Sequence, residues 1–400
     1  MLSKKNFLLI VLSILLLGVT LTLAARPAAT AAAEADAGFT VVAVGLENPR
    51  GLLFGPDGAL YVAEAGHGGD GACFAGAEGE TCYGETGAIS RIESGPPERI
   101  VSGLASLGVT ARGGGNATGP HDVAFDDEGT LYFITGLGAD PAIRDADGPF
   151  GEDGKKFGQL YRVDEDQTAT PVLDIALHEA VTNPAGGPLD SNPYALLHTE
   201  SGFRIVDAGA NALLATAQLD DDQDIETLAV FEPRLVEFPP GSGDQIPMDA
   251  VPTSVAMDAD GDYFVGQLTG FPFPVGGAYV FRIPADKLEG GEDPEPFVTG
   301  FSTILDVVFD NEMNMYVLEM FTNGFLSGDP TGAITQIAPD GTRRVIARGG
   351  GLVMPTAMTL GPEGDLYVSN YGGMPGMGQI VRISTDPRIM MPVVAGGSSE

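Results

Sequence analysis

The chain has 400 residues, enough for one large or two medium domains with a sizeable core. It carries 55 acidic against 20 basic residues, a formal net charge of −35. So acidic a chain repels phosphate backbones, which argues against nucleic acid as a partner. With 57 glycines, 29 prolines, no tryptophan and no long run of helical periodicity, the composition points to an all-β fold with many turns.

At the N-terminus, Lys4 and Lys5 precede a nearly continuous apolar run from Phe7 to Leu23, and small residues follow. This is the pattern of a secretory signal peptide over residues 1–33, with cleavage after Ala24 or after Ala33. An uncleaved anchor is the competing reading. No cysteine near the cleavage region supports a lipoprotein, and no later segment is long enough to span a bilayer. The expectation is an exported protein of the extracellular space or cell envelope, monomeric and without a membrane span after cleavage. Removing residues 1–33 takes away three basic residues and no acidic one, so the net charge becomes −38.

The next element is NPRGLLFGPDGALYVAEAG, residues 48–66. An apolar run, a GPDG turn and an alternating run read as a β-hairpin. Arg50 and Glu64 come together at its open end, where an exposed ion pair would contribute only ~0–1 kcal/mol. Cys73 and Cys82 then flank CFAGAEGETC. In an exported chain two cysteines this close are expected to form one disulfide, whereas two ligands alone make a poor zinc site.

The hairpin recurs. GPDGALYVAEAG (55–66) is followed by DDEGTLYFITG (126–136), ESGFRIVDAG (200–209), DADGDYFVGQLTG (258–270), DNEMNMYVLEM (310–320) and GPEGDLYVSNYG (361–372), at intervals of roughly 50 to 70 residues. Periods of this size signal a propeller or solenoid. A third strand follows each: GAISRI (87–92), FGQLYRV (157–163), TLAVF (227–231), GAYVFRI (277–283), GAITQI (332–337) and GQIVRI (378–383). A fourth follows in most: ERIVSGL (98–104), TPVLDI (170–175), PEPFVTGF (294–301) and RRVIARGG (343–350). Four antiparallel strands per unit make a propeller blade, so the expected fold is an all-β, six-bladed β-propeller over residues 38–386, followed by a tail over 387–400. The sixth unit lacks its own fourth strand, and FTVVAVGL (39–46) is expected to supply it and close the ring; the tail is the alternative donor. The segments 136–156, 178–193 and 267–277, rich in Pro and Gly, read as loops.

ENPRGLLFGPDGALYVAEAGHGG with the cysteine pair after it, LDSNPYALL, VDAGAN, VPTSVAM and GQLTGFPFP together resemble the ScyD/ScyE family, over about residues 39–385. The resemblance implies an exported six-bladed propeller and no established activity. The single repeat PDGxLYV is shared with NHL-repeat and SMP-30/gluconolactonase-like propellers.

In a hairpin, the start of the first strand and the end of the second lie at the same mouth of the channel. The six second-strand ends are Glu64, Thr135, Asp207, Gln267, Glu319 and Asn370, every one with a side-chain oxygen. The matching first-strand positions are Arg50, His121, Tyr194, Thr253, Leu305 and Thr356, and the next positions add Asp122 and Asp306. Convergent polar groups at a concave mouth form a candidate binding site, with Arg50, His121, Tyr194, Thr253, Gln267 and Asn370 as ligand-binding residues. Glu64, Asp207 and Glu319, with neutral oxygens beside them, suit calcium or another divalent cation. The SMP-30-like resemblance adds that such an ion polarises a lactone carbonyl. Against this, strand-end Asp, Asn and Thr often bond the backbone of the next turn.

Other motifs are weaker. DADGPFGEDG (145–154) lacks the full spacing of a calcium loop, Asn116-Ala-Thr118 is a glycosylation sequon by pattern only, no GxSxG nucleophile elbow occurs, and GGGNATG carries no lysine for a phosphate loop. Three functions remain in view: a non-enzymatic binder of a small molecule, glycan or envelope protein; a divalent-metal lactonase of SMP-30 type; and a scaffold module. No catalytic residue is assigned.

Overall fold

The computed structural model describes residues 39–386 apart from 77, 217–218, 220–223 and 286–293. The signal peptide and the tail expected at 387–400 lie outside the described residues.

In the second, fourth and fifth repeats the tight turn between the first two strands carries an acid that holds the backbone. Asp126 accepts from the N–H groups of Glu128 and Thr130, Asp258 from Asp260 and Asp262, and Asp310 from Glu312 and Asn314. The fourth turn position needs a left-handed backbone, which Gly58, Gly129, Gly261 and Gly364 supply without steric cost; in the fifth repeat Met313 takes φ 62° instead. The tyrosine of the following strand reaches back to the turn: Tyr61 donates to Asp57 and Tyr316 to Asp310. The third repeat has no such acid, and there Arg204 donates to the Ser201 hydroxyl.

These hairpins seed six antiparallel sheets of four strands or more, and a two-stranded sheet stands apart from them. Their innermost strands are Pro49–Phe54, Pro120–Phe125, Pro193–Thr199, Pro252–Met257, Ile304–Phe309 and Ala357–Leu360. Each touches the next in that order, and the last touches the first. The core is correspondingly layered between sheets. Ala63, Ile89, Val123 and Phe133 fill one such layer, Leu160, Leu173, Ile205 and Leu214 the next, and Leu318, Ile334, Val368 and Val381 a later one.

The last sheet runs Phe39–Leu46, Gly378–Ile383, Leu366–Asn370, Ala357–Leu360. Its outer strand is therefore the N-terminal one, with Phe39 opposite Ile383 and Leu46 opposite Gly378, as expected from FTVVAVGL. The third sheet departs from expectation. Its third strand is Ala212–Thr216, and TLAVF falls in the fourth, Glu226–Val230. Ala212–Thr216 is buried at every position, so it shows no alternation, and it follows the second strand after a turn of only four residues.

Three further features were not expected. Ile175–Thr182 is an α-helix, capped by the Asp174 side chain accepting from Leu177 N–H. Arg234–Glu237 pairs with Gln245–Met248 as the separate two-stranded sheet. The cysteine loop is a β-hairpin in which Cys73 and Cys82 are direct cross-strand partners; the disulfide they form is the one expected from the sequence. Among the described residues, no helix is long and apolar enough to cross a membrane.

Candidate functional site

A cavity of about 310 Å³ runs inside the ring of innermost strands. Arg50, His121, Tyr194, Thr253, Leu305 and Thr356 all line it, as do Asp122 and Asp306. The reason is local. In five of the six innermost hairpins the pairing register slips at the start of the first strand, between Pro49 and Leu52, Pro120 and Asp122, Pro193 and Ala195, Pro252 and Ser254, and Ile304 and Asp306. The extra residue of each bulge is left out of the ladder, and bulges of this kind re-aim a side chain. Arg50, His121, Tyr194, Thr253 and Leu305 occupy those bulges.

Arg50 is 8% exposed. Its guanidinium donates to the Gly372 carbonyl, in the sixth repeat, and to the Ala117 carbonyl at 2.8 Å, just before the second sheet. Ala117 lies in the first sheet with Arg50, so the guanidinium ties that sheet to the sixth repeat, while its buried Nε has no hydrogen-bond partner among the described residues. Burial pulls its pKa below the ordinary value. His121 places Nδ1 2.9 Å from the Pro193 carbonyl, and its ring lies 5.0 Å from that of Tyr194. Burial, and then the nearby Arg50 charge, pull His121 down to about 3. The imidazole is neutral at physiological pH, with Nδ1 donating to the carbonyl and Nε2 left as an acceptor. Gly136 makes room for it, since a Cβ there would stand 2.2 Å from His121 Cε1. Burial also raises the Tyr194 phenol to about 12, and its hydroxyl takes no hydrogen bond among the described residues.

Asp122 and Asp306 face the lumen from the second and fifth sheets and act alike. Asp122 accepts from the N–H groups of Val123 and Leu196, and Asp306 from those of Val307 and Met358, so each bridges to the next innermost strand. Asp122 also packs on Gly51, where a Cβ would stand 1.9 Å from its Oδ1. Enclosure by the ring pushes Asp122 up to about 8 and Asp306 up to about 7, against the pull of those N–H groups.

The second-strand ends do other work. Each is the last residue of its strand, as the repeat alignment required. None is among the residues lining the cavity. Glu64 accepts from Glu47 N–H at 2.7 Å, from the Ser90 hydroxyl, and from Arg99 through both oxygens. The expected Arg50–Glu64 ion pair is therefore absent: Glu64 pairs with Arg99, at 2.8 Å. Asp207 accepts from the N–H groups of Asn192, Gly209 and Ala210 and from the Ser191 hydroxyl. Glu319 accepts from Ser302 N–H and Asn370 from Val353 N–H. These four fasten the chain arriving at the first strand onto the end of the second. Thr135 donates to the Lys156 carbonyl, and Gln267 lies 3.5 Å from that of Gly277. Glu64, Asp207 and Glu319 stand in three different sheets and do not gather as a ligand cluster among the described residues. Cys73, Glu80 and Cys82 do gather, but both sulfurs belong to the disulfide.

Sequence reasoning missed the far end of the cavity, lined by Phe125, His198, Met257 and Phe309. The signal was present: these residues lie at or near the far ends of the same first strands.

No protein-family model matches the chain, and no curated protein matches it either. Solved structures do match. A gluconolactonase from Xanthomonas campestris superposes with a TM-score of 0.51 at 9% identity, over 86% of this chain and 89% of the other. A protein of unknown function from Bacteroides thetaiotaomicron superposes with a TM-score of 0.50 at 10% identity, over 87% of this chain and 75% of the other. A virginiamycin B lyase from Staphylococcus aureus is more distant, with a TM-score of 0.43 at 11% identity, over 87% of this chain and 99% of the other. At such identities the likeness concerns the fold alone, and the fold is an all-β propeller.

Proposed function

We propose that this chain is an exported six-bladed β-propeller of ScyD/ScyE type, a non-enzymatic module that binds a small molecule in the mouth of its channel. One observation carries the proposal. The bulged residues Arg50, His121, Tyr194 and Thr253, with Thr356, surround a cavity of about 310 Å³, within the size range of small-molecule sites. Several of their polar atoms are uncommitted. The six sheets with touching innermost strands support the blade count, and the disulfide with the N-terminal sequence pattern supports export. The lactonase reading has less support, because the carboxylates it needs as ligands are engaged in separate sheets.

The test is a thermal-shift screen of sugars, lactones, phenols and carboxylates against the full chain, repeated on His121→Ala and Tyr194→Ala. Hits should bind at least tenfold more weakly to both variants. Hits that bind the variants unchanged would place the site elsewhere. For the lactonase reading the decisive observation would be lactone turnover that calcium restores after EDTA treatment.

A further inference from the structure

Arg50 is the only lysine or arginine among the residues lining the cavity. In a chain with 55 acidic residues it has no carboxylate within ion-pair distance among the described residues. A buried guanidinium without a counter-charge is costly, and buried charges are normally paired. The two carboxylates that share the lumen, Asp122 and Asp306, turn both oxygens to backbone N–H groups instead. The guanidinium is held rigidly by the Gly372 and Ala117 carbonyls, and its buried Nε is left without a partner.

The surroundings restrict what could complete it. Tyr194 offers a free hydroxyl on the same mouth. Neutral His121 offers an acceptor, which disfavours a fully charged dianion beside a single cation. Leu305 lines the cavity too, and its side chain belongs to a hydrophobic core cluster against which Tyr194 also packs, so this part of the wall is apolar. Building on the ligand-binding reading above, we infer that the channel mouth takes a small organic monoanion: a carboxylate paired with Arg50 and hydrogen-bonded by Tyr194, its carbon body against Leu305.

Calorimetric titration of the full chain at pH 7.5 with sodium hexanoate, sodium benzoate, hexanamide and inorganic phosphate tests this. The carboxylates should bind, with hexanamide and phosphate at least tenfold weaker. Arg50→Gln should abolish carboxylate binding, and Tyr194→Phe should weaken it several-fold without changing the melting temperature. If Arg50→Gln fails to fold, Tyr194→Glu gives an independent readout: an internal carboxylate beside Arg50 should block hexanoate. Equal binding of hexanamide and hexanoate would overturn the anion assignment and leave a ligand-binding channel standing. Phosphate binding as tightly as hexanoate would overturn the carboxylate in favour of an inorganic anion. Carboxylate binding that survives both Arg50→Gln and Tyr194→Glu would remove Arg50 from the site. Failure of all four probes would overturn the anion inference, while the wider screen on His121→Ala and Tyr194→Ala would still decide the ligand-binding reading by itself.

Discussion

Glu64 is 1% exposed and receives a backbone N–H, a serine hydroxyl and a bidentate arginine. Such a residue holds a strand end in place. Glu64→Ala leaves Ser90 and Glu47 N–H without their acceptor and should cost about 2–3 kcal/mol in urea unfolding. Arg99→Ala should cost less, about 1 kcal/mol, since Arg99 is half-exposed and water replaces much of the lost interaction. Unchanged stability in Glu64→Ala with altered ligand binding would contradict the structural role. The sequence made the position of Glu64 legible, together with its five counterparts, because strand length and turn chemistry repeat. It did not make the direction of the side chains legible. The hairpin was read as an unbroken ladder, and a one-residue bulge beside Pro49, Pro120 or Pro193 re-aims the side chain at that point. Arg50, His121 and Tyr194 thus line the lumen while the strand-end acids bind backbone.

Single elements show the same division. The closing strand Phe39–Leu46 was legible from its likeness to the other outer strands. The Ile175–Thr182 helix was not, because proline- and glycine-rich sequence follows it and only eight residues carry it. The strand Ala212–Thr216 was hidden by its complete burial. The cysteine hairpin gives a direct prediction. Its disulfide closes a loop of sequence separation 9, so Cys73→Ser with Cys82→Ser should lower stability by about 2–3 kcal/mol by the chain-entropy relation. Urea titrations of the variant and the oxidised parent measure it, and equal midpoints would show that the extended first sheet holds the hairpin unaided. Removing Phe39–Leu46 should do more, exposing the Gly378–Ile383 edge and promoting aggregation visible by light scattering.

For the whole molecule, the ring encloses ionisable groups that a flat sheet would leave in water. Asp122 and Asp306 keep their protons up to about 8 and about 7 in the folded protein, against an ordinary 3.8 when unfolded. Between those limits the folded state binds more protons, so stability is full below about pH 4 on this account and falls as pH rises toward 8. Asp306→Asn removes one of these protons. Its melting temperature should decline less than the parent's between pH 5 and pH 8, and parallel profiles would show that Asp306 is ionised throughout. His121, pulled down to about 3 from an ordinary 6.5, acts with the opposite sign: its contribution is full above about pH 6.5 and is lost as pH falls toward 3, equally in the parent and in Asp306→Asn.

The central claim is that the bulged first-strand residues form the site and the strand-end carboxylates do not. A high-resolution crystal structure grown with sodium hexanoate and calcium would test both halves at once. The account predicts a carboxylate against Arg50 and Tyr194, with Glu64, Asp207 and Glu319 still bound to their backbone and side-chain donors. An ion held by those three acids, with the mouth at Arg50 occupied only by water, would contradict it.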